Sequence, residues 1–142
     1  MPVRTATAAW SGSLKEGSGT FGVQSGAVGG AYTWATRFGD EPGTNPEELL
    51  GAAHAACFSM SLSSNLGKAG LTPDAIETTA IVHLEPRETG SVIVKIELET
   101  KARIPGLTDE AFQPIAETTK ERCPVSRALT GVPIELTATL QE

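Results

Sequence analysis

The run from Leu49 to Gly67 contains no Asp, Glu, Lys or Arg. No other feature restricts the fold as strongly, because a charge-free run of this length must be buried on most of its sides. Its start is sharply specified. Asn45 is a good N-cap, Pro46 suits the first helical position, and Glu48 has the capping-box spacing. Gly67 or Gly70 is expected to end the helix, with Pro73 just beyond. His54, Asn65, four serines and two glycines interrupt the run, so it reads as a helix buried in protein rather than a membrane span.

The rest of the chain must supply what covers that helix. The first 40 residues are rich in Gly, Thr and Ser. Val3 to Trp10, Thr20 to Ser25 and Tyr32 to Phe38 read as strands, with turns at Ser11-Gly12 and Gly29-Gly30. These strands have no core of their own and are expected to lie on something else, including a second subunit. Beyond the helix, Val92 to Lys101 alternates, with Val94, Ile96 and Leu98 on one face and Lys95, Glu97 and Glu99 on the other. Ile76 to Leu84 is its expected antiparallel partner through a turn at Glu88-Thr89-Gly90. A second helix is expected from about Thr108 to Arg122, starting late or kinked because Pro114 lies within it. A short helix, Val125 to Leu129, and a last strand, Ile134 to Leu140, complete a single α+β domain over residues 1–142. Its sheet is expected to be mainly antiparallel.

Charge narrows the function classes. A formal net charge of −6 with no basic run argues against nucleic acid and anionic membrane surfaces as partners. The opening MPVRTATAAW lacks the apolar core of a secretory signal. A cytoplasmic protein is therefore expected, where two cysteines are more at home in thiol cycling than in a structural disulfide.

Cys57 lies in the middle of the charge-free helix. A free cysteine in such a place can be no more than a small hydrophobe. To react it must ionise, which requires a nearby cation. The helix has none within a turn, so Arg37 is the candidate, against the plain alternative of a surface arginine. Glu47, at the helix N-terminus, is stabilised there by the helix dipole and is suited to hold an arginine fork. Glu47 and Cys57 are about 15 Å apart along a straight helix. They share a site only if the helix bends or a second subunit completes it. Cys123, followed by Pro124, caps the short helix, and a thiol in that position is acidified. Local sequence thus favours Cys123 as the nucleophile. His54 lies three residues before Cys57 on the same helix face, as a base or as a core histidine. His54, Cys57, His83 and Cys123 also make up a Cys₂His₂ zinc set, although their spacing matches no compact zinc motif. A zinc-bound or non-catalytic binding protein with structural cysteines is the alternative reading.

GTNPEELLGAAHAACFSM at residues 43–60, TRFG at 36–39 and CPVSRAL at 123–129 together resemble the OsmC subgroup of the OsmC/Ohr family. The resemblance extends over nearly the whole chain. It implies an intertwined homodimer with two central helices and swapped β regions, and a thiol peroxidase preferring organic hydroperoxides. It further implies Cys57 as the peroxidatic and Cys123 as the resolving cysteine, Arg37 as the activator of the Cys57 thiolate, and Glu47 as the residue that orients Arg37. No metal or bound cofactor is implied, only an external dithiol or lipoyl-type reductant.

Overall fold

The computed structural model describes residues 1–142, which form two compact units, Met1–Leu49 and Leu50–Glu142. The first unit holds a three-stranded antiparallel sheet, β1 (Ala6–Ser11), β2 (Ser18–Val23) and β3 (Gly29–Tyr32), in that order. It also holds a single-turn helix, α1 (Trp34–Phe38), and the start of α2 (Pro46–Lys68). Two local expectations change here. The segment from Tyr32 to Phe38 is not a strand: Thr33 and Thr36 form a reciprocal capping box that turns it into α1. Gly29 and Gly30 are strand residues, and the preceding turn centres on Gly26, whose φ of +73° suits glycine. Every residue of β1 is exposed, as expected of strands without a core of their own.

Helix α2 begins where its sequence signals it. The Asn45 side chain accepts the Glu48 N–H at 2.9 Å, satisfying one of the unpaired amides of the first turn. The helix passes through Gly67, and Gly70, at φ +77°, terminates it while the Leu71 N–H returns to the Leu66 carbonyl at 2.9 Å.

In the second unit, β4 (Ala75–Glu85), β5 (Val92–Arg103) and β6 (Ile134–Gln141) form a sheet with β5 in the centre. β4 and β5 are antiparallel, with a bulge between His83 and Leu84, while β6 runs parallel to β5. Three of the four strand pairings are antiparallel, so the mainly antiparallel α+β expectation stands with one parallel exception. That exception follows from the crossover α3 (Asp109–Arg122) and α4 (Pro124–Ala128) between the two strands. Ile96, Leu98 and Ala102 from β5, Phe58, Leu62 and Leu66 from α2, and Phe112 and Ala116 from α3 make the core. Helix α3 starts at Asp109, capped by Thr108, and runs unbroken past Pro114. Pro114 lies on the exposed side, where water can satisfy the carbonyl left without a donor.

Two polar residues of α2 that point inward are paired with neighbouring elements. Ser59 donates to Thr78 Oγ1 at 2.8 Å, and Asn65 donates to Thr119 Oγ1 at 2.9 Å. Such pairing makes their burial tolerable and fixes the helix rotation. The buried stripe is Gly51, His54, Phe58, Leu62 and Leu66, whereas Ala52, Ala53, Ala56, Met60, Ser63 and Ser64 are exposed. Within one chain the helix is therefore covered on one side only. No helix of the chain is long and apolar enough to cross a membrane.

Candidate active site

Each unit contains one pair of the side chains expected to matter. In the first unit, α1 carries Arg37 in its only turn and α2 carries Glu47 in its first turn. Arg37 Nε donates to both Glu47 carboxylate oxygens at 3.2 Å, and Nη2 donates to Oε1 at 2.8 Å. This bidentate fork fixes the guanidinium plane. The carboxylate is well buried and the arginine about one-third exposed, at side-chain exposures of 10% and 37%. Nη1 makes no hydrogen bond within the chain, so one edge of the cation is left free to meet an anion.

The connection between α1 and α2 is held by Thr36 and Thr44, for which the sequence suggested no such role, and by the N-cap residue Asn45. Thr36 Oγ1 donates to the Thr44 carbonyl at 2.9 Å, and Asn45 Nδ2 donates to the Thr36 carbonyl at 3.1 Å. Thr44 Oγ1 donates to the Ala31 carbonyl. Together these bonds set the distance between Arg37 and Glu47. The only sequence sign of them is the density of Thr and Asn around the capping positions.

In the second unit, Cys57 Sγ on α2 lies 3.2 Å from Cys123 Sγ at the junction of α3 and α4. Both are free thiols, since a bonded pair would be at about 2.05 Å. Cys123 is fully buried, whereas Cys57 is half-buried. Cys123 is the N-cap residue of α4, although its sulfur makes no cap hydrogen bond of normal geometry. Burial pushes the Cys123 thiol up. Hydrogen bonding from the Ser126 amide, the Cys57 thiol, the Ser126 hydroxyl and the Val125 amide outweighs burial and holds it below the ordinary value. Cys57 is shifted the other way, mainly by burial and by the adjacent Cys123, with the Val125 amide and Ser61 in partial opposition. The more acidic thiol is thus the one that solvent does not reach.

His54, one turn before Cys57, is fully buried, and its Nε2 lies 2.7 Å from Ser126 Oγ. Its Nδ1 is buried without a partner. Burial lowers its pKa, so it is neutral at physiological pH. The zinc set is not assembled. His83 lies on β4 and pairs with Glu97, and no three His, Cys, Asp or Glu side chains are grouped to hold a metal ion.

Comparison with known proteins places the chain in a family. A family profile described as OsmC-like protein matches residues 39–137. Peroxiredoxin OsmC of Escherichia coli strain K12 is 49% identical over 121 residues, which cover 84% of this chain and 85% of that protein. The crystal structure of an organic hydroperoxide resistance protein from Elizabethkingia anophelis superposes with a TM-score of 0.76 at 26% identity, covering 99% of both chains. An OsmC-like protein from Mycoplasma pneumoniae shares the fold at a TM-score of 0.77 and 18% identity, again over 99% of both chains.

Proposed function

The chain belongs to the OsmC family and is a peroxidase, and from that premise we propose that it reduces organic hydroperoxides, and hydrogen peroxide more weakly, through a Cys57 sulfenic acid and a Cys57–Cys123 disulfide. The observation that carries this reading is the 3.2 Å contact between a half-buried and a fully buried thiol. A peroxide reaches Cys57 first. The Cys57 thiolate attacks the distal peroxide oxygen, the O–O bond breaks, and the alkoxide leaves as an alcohol once it is protonated. Cys123 then displaces hydroxide from the sulfenic sulfur and closes the disulfide. An external dithiol, of the lipoyl type or similar, returns both thiols by exchange, and no bound cofactor takes part.

Access and acidity point in opposite directions, and Arg37 reconciles them. Cys57 is disfavoured as a thiolate within its own chain, so a cation must stabilise it. The fixed guanidinium of Arg37, clamped by Glu47 and with Nη1 unused, supports its assignment to this role and to the charge on the departing oxygen. Glu47 lies at the first turn of α2 and Cys57 near its middle, so one straight helix does not bring them together. A homodimer in which one copy supplies the arginine to the other's thiol satisfies this constraint. The uncharged exposed face of α2, with Met60 77% exposed, and the uncovered β1 support the same assembly. The reading places the protein in the cytoplasm, where a dithiol pool can sustain the cycle.

Steady-state reduction of tert-butyl hydroperoxide with a dithiol tests the assignment. Cys57→Ser is expected to lose turnover entirely. Cys123→Ser is expected to complete one oxidation and stop short of a disulfide. Sustained turnover by Cys123→Ser with a dithiol would remove Cys123 from the resolving role.

A further inference from the structure

Two features of the second unit remain outside that cycle: a fully buried histidine with one unpaired ring nitrogen, and a buried serine bonded to its other nitrogen. The His54 ring meets Ser126 across 72 residues of sequence at 2.7 Å. Ser126 is three residues beyond Cys123, at the third position of α4, with Cys123 at its N-cap. The Ser126 hydroxyl is close enough to Cys123 to favour its ionised form by a side-chain hydrogen bond. Both residues are shielded from solvent, at 3% and 0% exposure.

The direction of the hydrogen bonds follows from the unpaired nitrogen. A buried N–H without an acceptor is rarer and costlier than a buried acceptor without a donor. The proton of neutral His54 therefore belongs on Nε2, where Ser126 Oγ accepts it. The serine then has one hydrogen of its own to give. With its oxygen occupied by the imidazole N–H, that hydrogen is available to the Cys123 sulfur when the sulfur is ionised. A helical serine lacking such a partner tends instead to donate back to a carbonyl three or four residues earlier.

We propose that His54 is a positioning residue for the resolving step: through Ser126 it fixes a hydroxyl donor on Cys123 and so holds the Cys123 thiolate ready to attack the Cys57 sulfenic acid. The proposal rests on the peroxidase reading above. In the step, the Cys123 sulfur lone pair forms the S–S bond, the Cys57 S–O bond breaks, and the hydroxide leaves with that electron pair and takes a proton to become water. The Ser126 O–H bond is not broken, because it only stabilises the negative sulfur before attack. The hydroxyl also contributes to the low pKa of Cys123, after the Ser126 amide and the Cys57 thiol. The titratable groups that face the pair are Cys57 and His54, both from α2. The α3 neighbour is the Thr119 carbonyl, 2.8 Å from the Cys123 N–H, and Arg122 and Arg127 are exposed.

Single-turnover oxidation of the full chain by one equivalent of tert-butyl hydroperoxide, with the sulfenic acid trapped by dimedone and the disulfide counted by mass, separates the two steps. Ser126→Ala and His54→Leu should each lower the ratio of disulfide closure to sulfenic acid formation about tenfold at neutral pH, the loss expected for one hydrogen bond to a charged atom. The deficit should vanish at alkaline pH, where Cys123 ionises unaided. His54→Gln, whose amide can donate from the position of Nε2, should restore the ratio. An unchanged ratio in Ser126→Ala and His54→Leu, or a deficit of equal size at every pH, would overturn the proposal. Absence of sulfenic acid in the unmodified chain would instead overturn the peroxidase reading. The donor role is then judged from alkylation of Cys123 in Cys57→Ser. That reaction should require higher pH once Ser126→Ala is added, and an unmoved profile would count against the role.

Discussion

Cys57 Sγ lies 3.2 Å from Cys123 Sγ, and the thiol favoured electrostatically is the one denied to solvent. A peroxidatic and a resolving thiol need this division. The first must be reachable, and the second must be ready yet protected from oxidation by bulk peroxide. The predicted consequence is an order of labelling set by access rather than by pKa. A bulky maleimide should modify Cys57 before Cys123 in the folded protein, although Cys123 is the more acidic. Peptide mapping after brief exposure checks this, and earlier labelling of Cys123 would mean that it, not Cys57, meets the peroxide.

Arg37 and Glu47 should act as one unit, because the carboxylate fixes the plane of the guanidinium by three hydrogen bonds. Arg37→Lys keeps the charge but loses the fork. It is expected to slow oxidation of Cys57 by about a hundredfold, the range for losing one donor to developing charge. Glu47→Gln should give a smaller loss, with little added effect in the double variant. Stopped-flow oxidation rates decide it, and independent, additive losses would show that Glu47 does not work through Arg37.

Much of this was readable from local signals and some was not. Asn45, Pro46 and Glu48 announce α2, and the alternation of Val92 to Lys101 announces β5, because caps and periodicity are local properties. Helix α1 was hidden, since three of its five residues, WATRF, are aromatic or β-branched and the determinant is a pair of threonine hydroxyls. The parallel direction of β6 was hidden too, because its alternation is the same in either direction and the α3–α4 crossover decides. The pairing of Cys57 with Cys123 came from the resemblance of whole motifs, while the local signals at Cys123 favoured it as nucleophile. The contact between His54 and Ser126 spans 72 residues and has no local sequence sign.

His54 makes stability depend on pH. Burial depresses its native pKa below the ordinary 6.5. Below that value the unfolded chain takes up a proton that native His54 refuses, so stability falls as pH falls. The decline stops once native His54 itself takes the proton. Above 6.5 both states are neutral and the effect is absent. Urea midpoints measured from neutral to mildly acidic pH should show this slope, and His54→Leu should flatten it. An identical slope in His54→Leu would assign the acid sensitivity to other groups.

The exposed side of α2 should be an interface between copies of the chain. Met60, 77% exposed on a helix face without charge, lies on that side. Met60→Glu would place a charge against an apolar partner, which is strongly unfavourable. Sedimentation should show a dimer for the unmodified chain and a monomer for Met60→Glu, with peroxidase turnover lost in the monomer if Arg37 acts across the interface. A monomeric unmodified chain with full turnover would contradict the shared site.

The most direct test of the two-cysteine cycle is intact mass under non-reducing conditions, before and after one equivalent of an organic hydroperoxide. A loss of about two mass units per chain, reversed by a dithiol and absent in Cys57→Ser, is the predicted result. An unchanged mass, or the same loss in Cys57→Ser, would contradict a Cys57–Cys123 peroxidase cycle.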